Sequence, residues 1–276
     1  MTITEWSGES KSAEMWHVRR GDIVSVLDSL EKGRFQSVVT SPPYYWQRDY
    51  KVDGQIGLEK TIEGYVASIS QAMLSVRRVL RDDGLLFLNL GDTYYSAKGL
   101  PKGSDAKSKA RRFGLRAVDA SGLGVPRKTT IGIPWRVALQ MISDGWVLRS
   151  PIIWQRSNGL PEPTAKDRPW RSYELLFMFS KKPRYKFHRA ELDGSEDIWR
   201  IPVKPNGSKG LHNAAFPEAL AARAIRCSTD IGDEVLDPFC GTGTTLAASL
   251  SLGRPAFGID LNSQFCEYTA KRLAGL

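Results

Sequence analysis

EVLDPFCGTGTTLAASLSLG, residues 234–253, decides how this chain is read. A short apolar run closes on Asp237 and Pro238, and a turn carries Gly241 and Gly243. TTLAASLSL then places apolar residues at helical spacing until Gly253 ends it. Strand, tight glycine turn and helix in that order are half of a βαβ unit, the unit that builds parallel sheets. The next apolar run, PAFGID at 255–260, ends on Asp260, 19 positions after Gly241. In an open α/β sheet a ligand sits outside the carboxyl ends of the strands, and an acidic residue about twenty positions past the glycine turn bonds ribose hydroxyls. The turn is not GxGxxG, and no Gly-Lys followed by Ser or Thr is present, so a phosphate cradle is poorly supported.

The same alternation extends outward. Apolar runs at 37–39 (SVV), 85–90 (LLFLNL), 146–154 (WVLRSPIIW) and 173–179 (YELLFMF) read as further strands. Residues 61–80, 133–145, 216–228 and 244–253 carry apolar positions at three-to-four spacing and read as helices. The expected fold is α/β, a doubly wound and mostly parallel sheet, with the runs at 146–154 and 173–179 forming an antiparallel hairpin at one edge. With 41% hydrophobic residues, 276 positions suffice for a single domain with its own core. Cys227, Cys240 and Cys266 make no CxxC pair or even framework, which points to a reducing cytoplasm and no metal site. No signal-like opening and no membrane-length apolar run is seen.

A net charge of +9 directs attention to polyanions, nucleic acid first. The charge is concentrated: residues 96–130 hold nine Lys or Arg against two Asp, with glycines, prolines and no sustained periodicity. A loop of that length inside a domain is functional or disordered. KPNGSKG at 204–210 repeats its composition on a smaller scale.

TSPPYYW at 40–46 follows the strand at 37–39. Each proline fixes its own φ and removes a backbone donor, so Pro42-Pro43 makes a stiff bend with free carbonyls. Together with DPFCGTGTT, this stretch resembles the amino-methyltransferases that act on exocyclic amines of DNA bases. Their two hallmarks are Asp, Asn or Ser before Pro-Pro and an aromatic, and a DPFxGxGT-type loop. Here the Pro-Pro motif precedes the glycine loop, which resembles the circularly permuted β arrangement. VRRGDIVSVLDSL (18–30), LLFLNLGD, SPIIWQRSN, HNAAFPEALAARAI (212–225) and GIDLN (258–262) extend the similarity over nearly the whole chain apart from the basic insertion.

The resemblance implies S-adenosyl-L-methionine as cofactor, a dinucleotide being the alternative that the glycine turn alone leaves open. It implies that Ser41 and the Pro42 carbonyl accept hydrogen bonds from the target amine, that Pro43 stiffens the turn, and that Tyr44 stacks on a base flipped out of the duplex. Asp237, Phe239, Gly241 and Gly243 are expected around the cofactor's methionine end and the turn, Asp260 at its ribose and Asp22 near the adenine, with Phe216, Thr40, Pro238, Thr244 and Asn262 in the same pocket. Asp22 is also readable as an ordinary turn residue, His212 as a cap or anchor, and Tyr45 and Trp46 as packing. Ser before the proline pair is associated in the family mainly with cytosine N4, and Asp with adenine N6. Cytosine C5 chemistry would need a Pro-Cys turn, and the cysteines here sit in RCS, FCG and FCE.

Double-stranded DNA is the expected partner. Arg111, Arg112, Arg127 and Lys128 of the basic insertion are expected at phosphates, with 181–211 as a small target-recognition segment. A homodimer, a cognate restriction endonuclease and a restriction-modification role follow from the resemblance alone. The other readings are a methyltransferase for RNA or a protein amide, whose motif order differs, and a non-catalytic nucleic-acid-binding protein that keeps the fold.

Overall fold

Residues Phe35–Thr40 (β3) are all buried, as a central strand covered by helices on both faces must be. The computed structural model describes residues 4–95, 126–159, 162, 165–192, 194, 196–203 and 216–276. Before β3 come β1 (Thr4–Glu9), β2 (Met15–Arg20) and α1 (Ile23–Asp28); after it come α2 (Ile62–Val79), β4 (Leu80–Leu90), α3 (Ile133–Ser143), β5 (Val147–Gln155) and β6 (Tyr173–Ser180). A 3₁₀ turn at Arg189–Glu191 leads to β7 (Ile198–Arg200), followed by α4 (Glu218–Ser228), β8 (Val235–Asp237), α5 (Thr244–Ser251), β9 (Ala256–Asp260) and α6 (Ser263–Leu273).

The described strands form one sheet in the order β1-β2-β9-β8-β3-β4-β6-β5-β7. From β2 to β4 every neighbouring pair is parallel; β6 is antiparallel to both β4 and β5. The expected hairpin is therefore present, but it does not form the sheet margin. Ile198–Arg200 pairs parallel to β5 outside it, with Trp199 buried against Phe87, so part of 181–211 is built into the sheet. At the opposite margin β1 pairs antiparallel with β2, two strands that the apolar runs did not announce. Alternate residues feed the two faces: Val38, Leu86 and Phe177 face the core shared with α1, α2 and α3, while Val39, Phe87 and Leu176 face the one shared with α4. Among the described residues no helix is long and apolar enough to cross a membrane.

Arg111, Arg112 and His212, with most of the basic insertion and the 204–210 loop, lie outside the described residues. The ends of that insertion are described. Tyr95 N donates to Thr129 O at 2.8 Å and Lys128 N to Tyr95 O at 2.9 Å, so the insertion leaves and re-enters at the carboxyl end of β4.

Candidate active site at the carboxyl edge of the sheet

β2, β9, β8, β3 and β4 are parallel and end on one edge of the sheet. Val38 of β3 lies opposite Leu236 of β8, so the ends of these strands meet, and Thr40 Oγ1 donates to Asp237 Oδ1 at 2.7 Å. This contact joins the two stretches singled out in the sequence. Asp237 Oδ1 also accepts from Phe239 N at 3.1 Å. Burial pushes the Asp237 carboxyl up to about 6, against the pull of its hydrogen bonds with Thr40, Thr245 and Phe239.

Past Pro238 the chain turns through Gly241 (φ 49°) and Gly243 (φ 76°), both left-handed. A Cβ on Gly243 would stand 2.5 Å from Thr269 Cγ2, so this position has no room for a side chain either. Thr244 opens α5. Asp260, at the end of β9, accepts from Gly241 N at 2.9 Å through one oxygen and from Asn262 N at 2.8 Å through the other. Burial lifts its carboxyl to about 6 as well, with those backbone donors opposing and the Asp237 charge adding. Asn262 caps α6 by accepting from Gln264 N.

Two expected pocket residues have structural duties. Asp22 caps α1, accepting from Ser25 N at 3.0 Å, as its turn reading anticipated. Phe216 is buried in the core against α4, beside Val39. The three thiols are buried, which disfavours the thiolate: burial pushes Cys227 and Cys266 up to about 12, and Cys240 is raised by burial and the nearby Asp260.

The Pro-Pro turn follows Thr40 directly. Pro42 is buried, and Tyr65 Oη donates to the Pro43 carbonyl at 2.8 Å. Among the described residues no backbone donor reaches the Pro42 carbonyl. Tyr45 is buried against Tyr65, and Trp46 donates its indole N–H to Glu59 O at 2.7 Å, so both serve packing. Tyr44 is placed from two sides. Its ring lies against the backbone just beyond β4, where a Cβ on Gly91 would be 2.3 Å from the ring carbon Cε2. Its hydroxyl lies 2.7 Å from Glu174 Oε2 and 2.9 Å from Asn89 Oδ1, and Ser41 Oγ donates to it at 3.4 Å. Burial first, then the Glu174 carboxylate, raises the phenol well above its ordinary range.

Asn89, Gly91 and Glu174 were not among the residues read from the sequence. A polar side chain inside LLFLNL and a carboxylate opening YELLFMF were the available signals. Tyr50 and Phe265 were also missed. They meet edge-on at 6.1 Å, with the Tyr50 hydroxyl raised by burial and by Asp260, which puts this aromatic pair beside the Asp260 carboxylate. Arg127 is exposed on the returning leg of the insertion, and Lys128 is ion-paired with Asp167.

Comparison with known proteins agrees with this geometry. Type II methyltransferase M.XycI of Xanthomonas campestris pv. cyanopsidis is 40% identical over 264 residues, covering 92% of this chain and 86% of its own length. Type II methyltransferase M.SmaI of Serratia marcescens is 37% identical over 264 residues, covering 92% and 89%. Among solved structures, the putative DNA modification methylase TTHA0409 of Thermus thermophilus, in complex with S-adenosyl-L-methionine, superposes with a TM-score of 0.65 at 26% identity, over 92% of this chain and 91% of that one. The PvuII cytosine-N4-specific DNA methyltransferase has the same fold, with a TM-score of 0.73 at 20% identity over 97% and 90% of the two chains. The DNA methylase family matches residues 35–272, a span that starts at β3 and takes in the Pro-Pro turn, the glycine turn and both carboxylates. The chain belongs to the DNA methylase family, that of the N6 and N4 amino-methyltransferases.

Proposed function

We propose that this chain transfers a methyl group from S-adenosyl-L-methionine to the exocyclic N4 amine of a cytosine flipped out of duplex DNA. The observation that carries the reading is the 2.7 Å hydrogen bond from Thr40 to Asp237, which sets the Pro-Pro turn directly beside the glycine turn. Adenine N6 is the alternative target; the neutral hydroxyl of Ser41, where a carboxylate would mark adenine in the family, favours cytosine. The motif order supports a circularly permuted chain. The relatives' naming as Type II methyltransferases supports a restriction-modification role with a cognate endonuclease.

The residues present fit the cofactor. Asp237 and Asp260 are carboxylates whose ionisation burial disfavours, at adjacent strand ends with a turn through two left-handed glycines beside them, and a cationic ligand relieves that cost. Asp237 would face the cofactor's cationic methionine end, Asp260 its ribose, and Tyr50 with Phe265 would wall the nucleoside. When bound, S-adenosyl-L-methionine supplies an electrophilic methyl on a sulfonium and leaves as a neutral thioether.

The chain's own part is to orient the amine and take its proton. Ser41 Oγ donates to Tyr44 Oη, and Tyr44 Oη donates to Glu174 Oε2. With its proton spent on the tyrosine, Ser41 presents a lone pair to one amine hydrogen while the Pro42 carbonyl takes the other. The proton that methyl transfer makes surplus on the amine would move to Ser41 Oγ, Ser41 would pass its own to Tyr44, and Tyr44 would pass its own to Glu174. Orientation of this kind is a large contributor to rate in a direct transfer.

Purified protein incubated with S-adenosyl-L-methionine and mixed-sequence duplex DNA, then digested to nucleosides for mass spectrometry, is expected to yield N4-methylcytosine. N6-methyladenine instead would keep the mechanism and overturn the base assignment; no methylated nucleoside would overturn the reading. Gly91→Ala tests the placement of Tyr44 without substituting Tyr44 itself. The backbone there is not left-handed, so the fold should tolerate alanine, but the new methyl displaces the ring and turnover is expected to fall about tenfold or more, the scale of a lost stacking contact. Unchanged turnover would place the working position of Tyr44 elsewhere.

A further inference from the structure

The connection from β5 to β6 starts and ends at the same edge of the sheet as the Pro-Pro turn, because Gln155 pairs with Tyr173 and β6 begins beside the end of β4. It is tied to the stem of the basic insertion. The Arg168 guanidinium stacks 4.0 Å over the ring of Tyr94, and Arg171 lies 5.2 Å from the same ring. Arg171 Nη1 also donates to Asp92 O at 2.5 Å, one residue past the glycine that seats Tyr44. Between these arginines Pro169 stiffens the chain, and Trp170 projects with 53% of its surface exposed. Exposed Tyr173 follows, directly before Glu174.

Trp170 is a large aromatic held half out to solvent between two anchored arginines, outside the buried core clusters of the described residues. Its surroundings suit a polyanion with stackable rings: two guanidiniums at the rim, that of Arg168 paired with Glu162 at 2.7 Å and that of Arg171 with no acid partner among the described ion pairs, a flat apolar face between them, and ordering already imposed by the chain. We infer that this loop is a docking surface for duplex DNA, in which Trp170 stacks on the base step opened when the target nucleotide leaves the helix, while Arg168 and Arg171 meet the flanking phosphates. The inference rests on the DNA methyltransferase reading above and names the surface that delivers the flipped base to Tyr44. It also moves the expected contacts. The acid that engages Lys128 is Asp167 of this loop, so the insertion stem and the loop act as one rim, with the loop carrying the aromatic.

The test is the full chain with Trp170→Ala, Trp170→Phe and Arg168→Ala, assayed for methyl transfer from labelled S-adenosyl-L-methionine to mixed-sequence duplex DNA over a range of DNA and salt concentrations. Cofactor affinity is measured by calorimetry in parallel. Trp170→Ala is expected to raise the KM for duplex about tenfold or more with cofactor affinity and salt slope unchanged, and Trp170→Phe to restore most of the loss. Arg168→Ala is expected to reduce the salt slope by about one. Wild-type transfer with an unchanged KM in Trp170→Ala overturns this inference alone. Absence of transfer to DNA by the wild-type protein, with the cofactor still bound, overturns the underlying reading and this inference with it.

Discussion

Tyr44→Phe is expected to lower the single-turnover rate of methyl transfer by about 100-fold, the scale of a lost proton-transfer partner, while the cofactor dissociation constant stays within about threefold. The phenol oxygen is the middle member of the chain from Ser41 Oγ to Glu174 Oε2, at 3.4 Å and 2.7 Å. Without it the Ser41 hydroxyl has no acceptor and turns its proton toward the amine, presenting a donor where an acceptor is needed. Tyr44→Ala should lose more, since removing the ring adds about 1–3 kcal/mol of lost base stacking, roughly 5- to 150-fold. Glu174→Ala should approach Tyr44→Phe, because the hydroxyl then has only Asn89 to receive its proton. Rapid-quench rates beside calorimetric cofactor affinities separate the possibilities. Equal losses in rate and cofactor affinity would assign Tyr44 to the cofactor pocket and remove the proton path.

Asp237→Asn should weaken cofactor binding by at least about tenfold, the scale of a hydrogen bond to a charged group, and at the same time make the unliganded protein more stable near neutral pH. The substitution is close to isosteric, and both hydrogen bonds with resolved geometry, from Thr40 Oγ1 and Phe239 N, end on Oδ1, which asparagine keeps. What it removes is a buried charge. The folded carboxyl titrates at about 6 against an ordinary 3.8, so between those values the folded protein holds a proton that the unfolded chain has released. Its contribution to stability is therefore fully present below about pH 4 and is lost as pH rises to about 6. Above that, the cost is on the order of 2–3 kcal/mol, at about 1.4 kcal/mol per pH unit. Relief of that cost should raise the melting temperature by several degrees at pH 7.5, at roughly 2–4 °C per kcal/mol for a chain of this size, and by little at pH 4. A lower melting temperature at pH 7.5 with cofactor affinity intact would show that Asp237 is a structural residue whose charge the fold requires.

These expectations draw on two kinds of information. The glycine turn, the proline turn and the acidic ends of β8 and β9 were legible because each is a local device. A left-handed φ calls for Gly241 and Gly243, a fixed φ calls for Pro42 and Pro43, and burial on both faces makes parallel strands continuous apolar runs. Most helices were found for the same reason, a periodicity expressed within one segment. β1, β2 and β7 were not found. MWHVRR and IWR mix charged and aromatic residues, and only a sheet margin waiting for a partner makes them strands. Asp22 and Phe216 carry duties that their motifs do not state, a cap on α1 and a place in the core beside Val39, because those depend on what folds beside them.

The sequence by itself determined the fold class, the strand–turn–helix at 234–253 and the stiff Ser-Pro-Pro-Tyr turn, since short-range backbone chemistry and hydrophobic period specify them, and the resemblance those two motifs carry named the family. Only the tertiary structure decided that Tyr44 is held by Glu174, 130 residues away, that Thr40 reaches Asp237 across 197 residues, and that Arg168 and Arg171 stack on Tyr94 to present Trp170. Contacts of that span leave no periodic trace in the chain. They exist because parallel strands gather distant segments at one edge of the sheet, where polar side chains excluded from the core find their partners.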